Sequence, residues 1–332
     1  MKPKVSVIMA VLNGERFIDE AIQSIVDQTY QNVELVVVDD GSTDRTRDRV
    51  DAFRDRLEVR YVRHEAPRGI APSMNDGLRH ATGELIAFLD HDDAWFPEFL
   101  QTQASYLAEH PDVGMVHCDF QTIDPEGGVI QGSIAAWRGR KRPSGSVFPQ
   151  LFLDSFVVGN SVLIRRECFT RLGLFDESLR WGDYLMWMRI ARHYRVDYVD
   201  SVLTKYRQHP TQSTRNLTAD PPDAPPAALK AIERVLELHP EIREELGERI
   251  VRRRFASFYF DRAYCWYVAG DPAGARVCLR QALRLWPTSG RYLRLYVATL
   301  LRPSQVRTAK RAWRLLTGRD AARSPAARST TG

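Results

Sequence analysis

Four short segments rich in apolar residues, spaced through the first 90 residues, constrain the fold more than any other feature. They cover residues 5–12, 33–38, 57–62 and 85–88. Segments of this length and composition are typical of strands that are buried on both faces of a sheet. Between them, apolar residues recur at helical spacing. This alternation predicts an α/β fold with a Rossmann-like, mostly parallel sheet flanked by helices.

Polar clusters follow three of the predicted strands at the point where each strand ends. The clusters are Asn13-Gly14, Asp39-Asp40 and Asp90-His91-Asp92-Asp93. In parallel α/β sheets, ligands bind beyond the carboxyl ends of the strands. We therefore expect these clusters to meet at one crevice, and we expect that crevice to be the functional site.

The third cluster places three carboxylates within four residues. We call residues 89–93 the acidic loop; its sequence is Leu89-Asp90-His91-Asp92-Asp93. Carboxylates at the end of a buried strand repel one another, and a divalent cation relieves that repulsion. Hard oxygen ligands suit Mg²⁺ or Mn²⁺. The alternative is a solvated acidic turn that caps the next helix.

The glycines exclude two common classes of nucleotide-binding protein. No Gly-x-Gly-x-x-Gly pattern follows the first strand, and the chain has no Walker A sequence. Both motifs use glycine-rich loops to hold phosphates, so a dinucleotide-binding domain and a phosphate-loop enzyme are disfavoured. Phosphates would have to be held by a metal ion and side chains.

The proline-rich segment 216–228 divides the chain into three predicted parts. Residues 1–215 form the α/β domain, 216–228 form a linker that cannot be helical, and 229–332 form an all-α region. Aromatic and small residues between Tyr259 and Pro287 fall close to the spacing of one tetratricopeptide unit. An ordinary helical hairpin explains the same pattern.

The chain ends in a basic segment. From Arg291 to Gly332 there are ten Lys and Arg against one Asp, a net charge of +9, so the first 290 residues carry −4. After Pro303, apolar and basic residues occupy different faces of a predicted amphipathic helix around Trp313. This segment predicts binding to an anionic surface, either a membrane or another polyanion, and we expect no nucleic acid partner. A solvated helical tail is the alternative.

Other sequence features favour a cytoplasmic protein, which the basic segment would attach peripherally to the inner face of the cell membrane. The first apolar run is too short for a signal peptide, and no stretch approaches a transmembrane helix in length. The four cysteines form no Cys-x-x-Cys pair and have apolar or aromatic neighbours. We expect them to be reduced core residues.

The first 210 residues, about two-thirds of the chain, resemble the family-2 glycosyltransferases, which have the GT-A fold. The resemblance lies in the order and spacing of several motifs. They are residues 5–14, 38–44, Gly69 with Asn75 and Gly77, 81–84 leading into the acidic loop, Gly173-Leu174-Phe175-Asp176-Glu177, Gly182-Asp183-Tyr184 with Trp187 and Arg189, and Tyr206-Arg207-Gln208-His209.

This resemblance implies an inverting transfer of a sugar from a nucleotide diphosphate sugar to a glycan or a lipid-linked acceptor, in the synthesis of cell-surface polysaccharide or glycolipid. Asp183 falls where the family places its catalytic base. The implied metal ligands are Asp92, Asp90 and His209, binding Mg²⁺ or Mn²⁺. The implied nucleotide-sugar-binding residues are Val11, Asn13, Asp39, Asp40, Asn75, Asp90 and Asp92.

The sequence departs from the family pattern beside the predicted base. Gly182 stands where the family often has Glu, and Leu185 stands where a further acidic residue is common. The departures leave Asp183 as the candidate base, and they also support an alternative, a catalytically inactive protein that acts as a binding or scaffolding module. A nucleotidyltransferase is disfavoured by the missing glycine-rich loop.

Four aromatic residues near these motifs divide into two predicted classes. Trp181 and Tyr184 adjoin Asp183 in sequence and are candidates for stacking on an acceptor sugar. Trp95 and Trp187 are expected to be core residues instead.

Overall fold

The chain folds into two units in a computed structural model that describes residues 2–138, 142–179, 182–210, 212 and 221–300. The first unit is Met1–Pro210 and the second is Thr211–Gly332. The division lies five residues before the end of the predicted domain at residue 215. The helical tail predicted after Pro303 lies outside the described residues.

The first unit alternates strands and helices, as the sequence pattern predicts. Its strands are β1 Val5–Val11, β2 Val33–Asp39, β3 Glu58–Arg63, β4 Leu85–Phe88, β5 Ala94–Trp95, β6 Val113–Ile123, β7 Val129–Gln131, β8 Val162–Arg165 and β9 Arg195–Arg207. Its helices are α1 Ile18–Val26, α2 Thr46–Asp51, α3 Ile70–His80, α4 Phe99–Glu109, α5 Ile134–Arg138, α6 Phe148–Leu153, α7 Arg166–Leu172 and α8 Gly182–His193.

One sheet contains all of these strands. Its order is β3-β2-β1-β4-β8-β6-β9-β5, with β7 paired to β6. The first four strands in this order are parallel, with Val5 opposite both Val33 and Leu85. This register brings the carboxyl ends of β1, β2 and β4 to the same edge. Strand β8 runs antiparallel between β4 and β6, so the sheet is mixed beyond β4.

Strand β9 differs from its prediction. The sequence indicates two short strands, at 196–199 and 203–206, because Asp200 and Ser201 interrupt the apolar pattern. The structure has one strand across both, since its pairing with β6 continues through register shifts next to Asp119. The continuous strand delivers Arg207 and His209 to the edge that carries the acidic loop.

The two tryptophans predicted to be core residues are buried. Trp95 is 3% exposed and stacks on Phe99 with ring centroids 4.2 Å apart. Trp187 is 1% exposed and packs against Phe88 and Phe175. Both predictions are confirmed, and Trp187 packs at the carboxyl end of β4 through Phe88.

A buried carboxylate in β2 ties three segments together. Glu34 accepts hydrogen bonds from the Ser6 hydroxyl and from the backbone and hydroxyl of Thr82, and Lys4 Nζ lies 3.2 Å away. Burial raises the pKa of Glu34, but these donors outweigh burial and lower it to about 2. The ionised carboxylate therefore contributes to folding.

Replacing Glu34 with glutamine is expected to lower the free energy of unfolding by about 1–3 kcal/mol at pH 7, because buried donors lose a charged acceptor. The pKa is lower in the folded protein than its ordinary value of 4.5. The contribution is thus complete above pH 4.5 and disappears as the pH falls towards 2. In urea titrations, the difference in the free energy of unfolding between the native protein and the variant should be smaller in acid than at pH 7. The exposed partner of Lys4, Glu58, provides the control, since Glu58→Gln should change stability by less than about 0.5 kcal/mol.

The second unit contains five described helices. They are α9 Ala227–Leu238, α10 Ile242–Leu246, α11 Glu248–Val268, α12 Pro272–Leu285 and α13 Gly290–Ala298. Helix α9 begins at Ala227, so residues 227 and 228 of the predicted non-helical linker are helical. Helices α11 and α12 form the predicted hairpin, and Asp271 caps α12 by accepting from Ala273 N and Gly274 N. Likeness to a tetratricopeptide unit stays a prediction.

Two further sequence expectations concern cysteines and membrane spans. All four cysteines are free, and Cys118, Cys168 and Cys278 are buried. In the part of the chain that the structure describes, no helix is both long enough and apolar enough to cross a membrane.

Candidate active site

The loops that follow β1 and β2 are fastened to each other. Asn13 has a left-handed backbone conformation, with φ of +54°, and its side-chain oxygen accepts from Thr43 N at 2.9 Å. Asn13 N donates to the Ser42 hydroxyl and Gly14 N to the Thr46 hydroxyl, both at 2.9 Å. Polar side chains thus fix the ends of two neighbouring strands as one rim of the crevice.

The carboxylate of Asp39 is fully buried at the end of β2. It accepts from Ser42 N at 2.7 Å and from the Tyr61 hydroxyl at 2.5 Å. Arg63 lies 3.4 Å from the same carboxylate. Asp39 therefore holds the turn after β2 against β3.

Asp40 is held by a second set of donors. It accepts from Arg68 N and Gly69 N at 2.8 Å each, and His64 Nδ1 lies 2.7 Å away. Burial raises the pKa of Asp40, but the hydrogen bonds from His64 and the two amides lower it more. The other ring nitrogen of His64 lies 2.9 Å from Asp76. Asp40 is thus an ionised carboxylate that orders the entry to α3.

Two predicted donor-binding residues have roles within the fold. Val11 is a core residue, 2% exposed, and its carbonyl accepts from Asp40 N at 2.8 Å. The Asn75 amide donates to the Phe175 carbonyl and to Glu177, and its oxygen accepts from Phe175 N. We predicted that Asn75 contacts the nucleotide sugar, but the polar atoms of its side chain already pair with residues 175–177. Sequence order alone does not reveal that pairing.

The acidic loop gathers its three carboxylates at the end of β4. Asp90, Asp92 and Asp93 each offer an oxygen, and these oxygens lie within 4.8 Å of one another. Asp93 is tied inward, because it accepts from Arg207 N at 2.8 Å and from the Asn160 amide. Asp90 is the most exposed residue of the three, although the surrounding protein desolvates its carboxylate, so Asp90 and Asp92 are better placed than Asp93 to reach a ligand.

His209 reaches the same cluster. Its Nε2 lies 2.8 Å from Asp92 Oδ2, and its ring packs on Phe17 with centroids 5.1 Å apart. The predicted metal residues Asp90, Asp92 and His209 are therefore brought together. Two carboxylates and an imidazole are a donor set that Mg²⁺ or Mn²⁺ accepts, so these residues fit a divalent cation.

The electrostatics of the cluster favour a cation. Desolvation, followed by the charges of Asp92 and Asp183, raises the pKa of Asp90 to about 7. Burial and the charges of Asp92 and Asp90 raise the pKa of Asp93 well above its usual range. Ionised carboxylates held this close repel one another, and a bound cation removes that repulsion.

We expect Mn²⁺ to bind about tenfold more tightly at pH 8 than at pH 6. A carboxylate with a pKa of about 7 is mostly protonated at pH 6, and the metal ion binds the ionised form, so binding releases a proton. Affinity should therefore rise with pH and level off above the pKa. Calorimetric titration at the two pH values, in buffers of different ionisation enthalpy, measures both affinity and proton release. Equal affinities without proton release would contradict this account of Asp90.

The predicted base lies at the start of a helix. Asp183 is in the first turn of α8, where its own backbone amide and that of Tyr184 bond its carboxylate. Burial nevertheless raises the pKa of Asp183. Its charge contributes to the raised pKa of Asp90.

Close packing surrounds the glycine that departs from the family pattern. A Cβ placed on Gly182 would lie 3.3 Å from the carbonyl oxygen of Asp176 and 3.7 Å from the Ala71 side chain. The second departure, Leu185, is a core residue with 1% exposure. In this chain both positions are occupied by residues that pack, and Asp183 carries the charge.

The two candidate stacking residues have different outcomes. Tyr184 is 5% exposed, and its hydroxyl lies 2.9 Å from the Leu151 carbonyl oxygen and 3.2 Å from that of Phe152. Its ring is thus buried against α6, and stacking of Tyr184 on an acceptor stays a prediction. Trp181 lies outside the described residues.

Sequence reasoning missed several residues that order the site. His64 pairs with Asp40 and is itself oriented by Asp76, whereas Asn160 and Arg207 hold Asp93. The polar break at Gly159-Asn160-Ser161 in an apolar run was a signal for Asn160. Arg207 stands in a motif of the family resemblance, but its bonding partners are distant in sequence.

Residues 6–173 match the family model described as "Glycosyl transferase family 2", which is about half of the chain. The chain belongs to this family. The family model covers most of the α/β domain, including the carboxylates at the ends of β2 and β4, and ends before α8 and β9.

Curated relatives support the same assignment. The chain is 33% identical over 216 residues to an uncharacterized glycosyltransferase of Rickettsia typhi, covering 64% of this chain and 66% of the relative. It is 30% identical over 206 residues to the Escherichia coli UDP-Glc:alpha-D-GlcNAc-diphosphoundecaprenol beta-1,3-glucosyltransferase WfgD, covering 61% of this chain and 76% of that protein. The chain thus spans just under two-thirds of the length of the Rickettsia relative.

Solved structures share the fold. Crystal structures of S. aureus TarS include a complex with UDP-GlcNAc, which has a TM-score of 0.58 at 20% identity and covers 94% of this chain and 92% of that one. The mannosyltransferase PcManGT from Pyrobaculum calidifontis, in complex with GDP-Man and Mn²⁺, has a TM-score of 0.58 at 21% identity, with 96% and 89% covered. The α/β fold predicted from the sequence, with helices after it, is confirmed by this likeness.

Proposed function

We propose that this glycosyltransferase catalyses an inverting, metal-dependent transfer of a sugar from a nucleotide diphosphate sugar to a hydroxyl of a glycan or lipid-linked acceptor, in the synthesis of cell-surface polysaccharide or glycolipid. One observation carries the proposal. Asp90, Asp92 and Asp93 bring carboxylate oxygens within 4.8 Å of one another at the end of β4, and His209 Nε2 lies 2.8 Å from Asp92, which is the donor set that a metal-dependent transfer needs.

The proposed chemistry is a single displacement. Asp183 accepts the proton of the acceptor hydroxyl as the hydroxyl oxygen forms its bond to the anomeric carbon. The bond between that carbon and the phosphate oxygen breaks on the opposite face, and the nucleoside diphosphate leaves. The raised pKa of Asp183 favours this role, because a stronger base takes the proton more readily.

The metal ion would be held by Asp92 and Asp90, with His209 at the same cluster. Bound there, it supplies positive charge that neutralises the diphosphate leaving group. For His209 to ligate a metal ion directly, its Nε2 must exchange its contact with Asp92 Oδ2. The arrangement of Asp92 between Asp90 and His209 supports Asp92 as the central ligand.

The rim formed by the loops after β1 and β2 is the proposed nucleoside site. Asp39 and Asp40 stand at its base, and Asn13 is exposed at its surface. Structural neighbours are named as complexes with UDP-GlcNAc and GDP-Man, which supports a nucleotide sugar as the donor. The Escherichia coli relative is named for a diphosphoundecaprenol-linked acceptor, which supports a lipid-linked acceptor here.

A thermal-shift panel of nucleotide sugars, with and without Mn²⁺, tests the proposal. A ligand that binds only the native state raises the melting temperature. We expect at least one nucleotide sugar to stabilise the protein in a Mn²⁺-dependent manner and to be consumed when an acceptor is present. If a nucleotide sugar stabilises the protein but is neither transferred to an acceptor nor slowly hydrolysed, the inactive binding protein is favoured.

We further expect peripheral membrane attachment through the basic segment after Arg291, most of which lies outside the described residues. Basic residues close to an anionic membrane contribute about 1 kcal/mol each, and salt weakens the attraction. In liposome flotation, the whole chain should float with anionic liposomes at low salt, and a shorter chain ending at Gly290 should not. Equal behaviour of the two chains would reject membrane attachment through this segment.

A further inference from the structure

We propose that Arg207 is a positioning residue that fixes the acidic loop in the geometry needed to bind a metal ion. The proposal rests on the function proposed above, because it assigns Asp90 and Asp92 to a metal site. It extends that function to a residue in β9, more than 110 positions along the chain from the loop.

The Arg207 side chain is bonded at each of its three nitrogens. Nε donates to the Asp92 carbonyl at 2.8 Å, and Nη2 donates to Glu20 Oε2 at 2.5 Å. Nη1 lies 3.2 Å from the Asp124 carbonyl oxygen and 3.1 Å from that of Pro125. The guanidinium therefore joins the acidic loop to α1 and to the turn between β6 and β7.

The backbone of the same residue makes a separate connection. Arg207 N donates to Asp93 Oδ1 at 2.8 Å. Two residues later, His209 contacts Asp92 Oδ2. The end of β9 thus contacts the acidic loop at a carbonyl and at two carboxylates, which fixes both its main chain and its side chains.

Burial makes this arrangement rigid and specific for arginine. Arg207 is 1% exposed, and its guanidinium lies over the Phe17 ring, 4.9 Å from the centroid. A buried cation is retained only where its donors are paired. A guanidinium presents five N–H donors in a planar fork, whereas an ammonium presents three around one point. Lysine cannot reach the loop, α1 and the turn together.

Arg207 affects the metal site through the position of Asp92. Asp92 supplies a carboxylate to the cluster while its carbonyl is held by Arg207, so movement of the guanidinium moves the ligand. Groups that orient metal ligands typically contribute 10- to 100-fold to metal affinity. We therefore assign Arg207 an effect on metal binding that is separate from its contribution to folding.

Mn²⁺ binding to purified full-length Arg207→Lys, measured by electron paramagnetic resonance of free Mn²⁺, tests this assignment without any sugar substrate. We expect affinity to fall by about 10- to 100-fold. In turnover, more Mn²⁺ should be needed for half-maximal rate, with the donor KM at saturating Mn²⁺ little changed. A purely structural role would lower the melting temperature and leave Mn²⁺ affinity unaltered.

Arg165→Lys is the matched control. Arg165 also donates to three backbone carbonyls, those of Val113, Leu107 and His110, but it pairs with Leu85 at the opposite end of β4 from the acidic loop. Its replacement should cost stability and leave Mn²⁺ affinity within about twofold, as expected for a distant site. An equal loss of Mn²⁺ affinity in both variants would overturn the assignment.

Glu20→Gln keeps the proposal testable if Arg207→Lys does not fold. Glu20 is about half exposed, so its replacement should preserve the fold while weakening the hydrogen bond that Arg207 Nη2 donates to it. We expect a smaller loss of Mn²⁺ affinity, about three-fold, since a single charged hydrogen bond is weakened. If this variant, or a folded Arg207→Lys, binds Mn²⁺ with native affinity, only the role assigned to Arg207 is overturned. Absence of Mn²⁺ binding by the native protein instead overturns the proposed metal site.

Discussion

Replacing Asp183 with asparagine is expected to lower the turnover number by roughly 10²- to 10⁴-fold, which is the usual contribution of a positioned general base. Asparagine has nearly the shape of aspartate but cannot accept the acceptor's proton. The proposed donor site lies on the rim formed after β1 and β2, so donor affinity should be retained. Initial rates with varied donor and acceptor, combined with calorimetric donor binding, separate the two effects.

The pH profile provides a second signature of this base. Burial raises the pKa of Asp183, so the rate of the native enzyme should fall in acid at a pH above the ordinary range of an aspartate. The fall is expected on the acidic side because protonated Asp183 cannot accept a further proton.

Asp176→Asn makes the same chemical change shortly before α8 and serves as the control. Asp176 accepts from Ser178 N and its hydroxyl, a turn that asparagine can preserve. This control should turn over at nearly the native rate. A near-native rate in Asp183→Asn would place the base elsewhere and give the departures at Gly182 and Leu185 greater weight.

The edge of the sheet that carries the site was predictable because parallel strands have a simple geometry. Residues at the ends of β1, β2 and β4 must meet once the strands are parallel, so Asn13, Asp40 and Asp90 could be placed at one crevice from sequence alone. No long-range contact was needed beyond the order of strands and helices.

Contacts that depend on side-chain direction were less predictable. Asp183 and Tyr184 are adjacent on α8, about 100° apart around the helix axis, so they face different surroundings. Sequence adjacency placed both at an acceptor, whereas the structure buries Tyr184. Likewise, Asn75 pairs with Phe175 across 100 residues, a partnership that no local pattern encodes.

The interruption in β9 shows a further limit of sequence patterns. Asp200 and Ser201 predict a break, since polar residues are unfavourable in a buried strand. Pairing with β6 tolerates them by shifting register, and tertiary hydrogen bonding overrides the local pattern. That continuity places Arg207 against the acidic loop, which is why its bonds to Asp92 and Glu20 emerge only from the folded structure.

Replacing Asp92 with asparagine is expected to abolish the metal-dependent part of nucleotide binding. Loss of a direct ligand should exceed the roughly 100-fold effect that even orienting residues have on metal affinity. Asparagine removes the negative charge and keeps the backbone carbonyl that Arg207 holds, so the fold should survive. Nucleotide affinity with and without Mn²⁺ gives the result directly, and circular dichroism verifies folding.

The control for this variant is Asp112→Asn, since Asp112 is an exposed aspartate that pairs with Arg195 at the start of β6. It should bind the nucleotide with the native dependence on Mn²⁺. Retention of that dependence in Asp92→Asn as well would remove Asp92 from the metal site. Selective loss in Asp92→Asn would instead assign metal binding to the carboxylate that lies between Asp90 and His209.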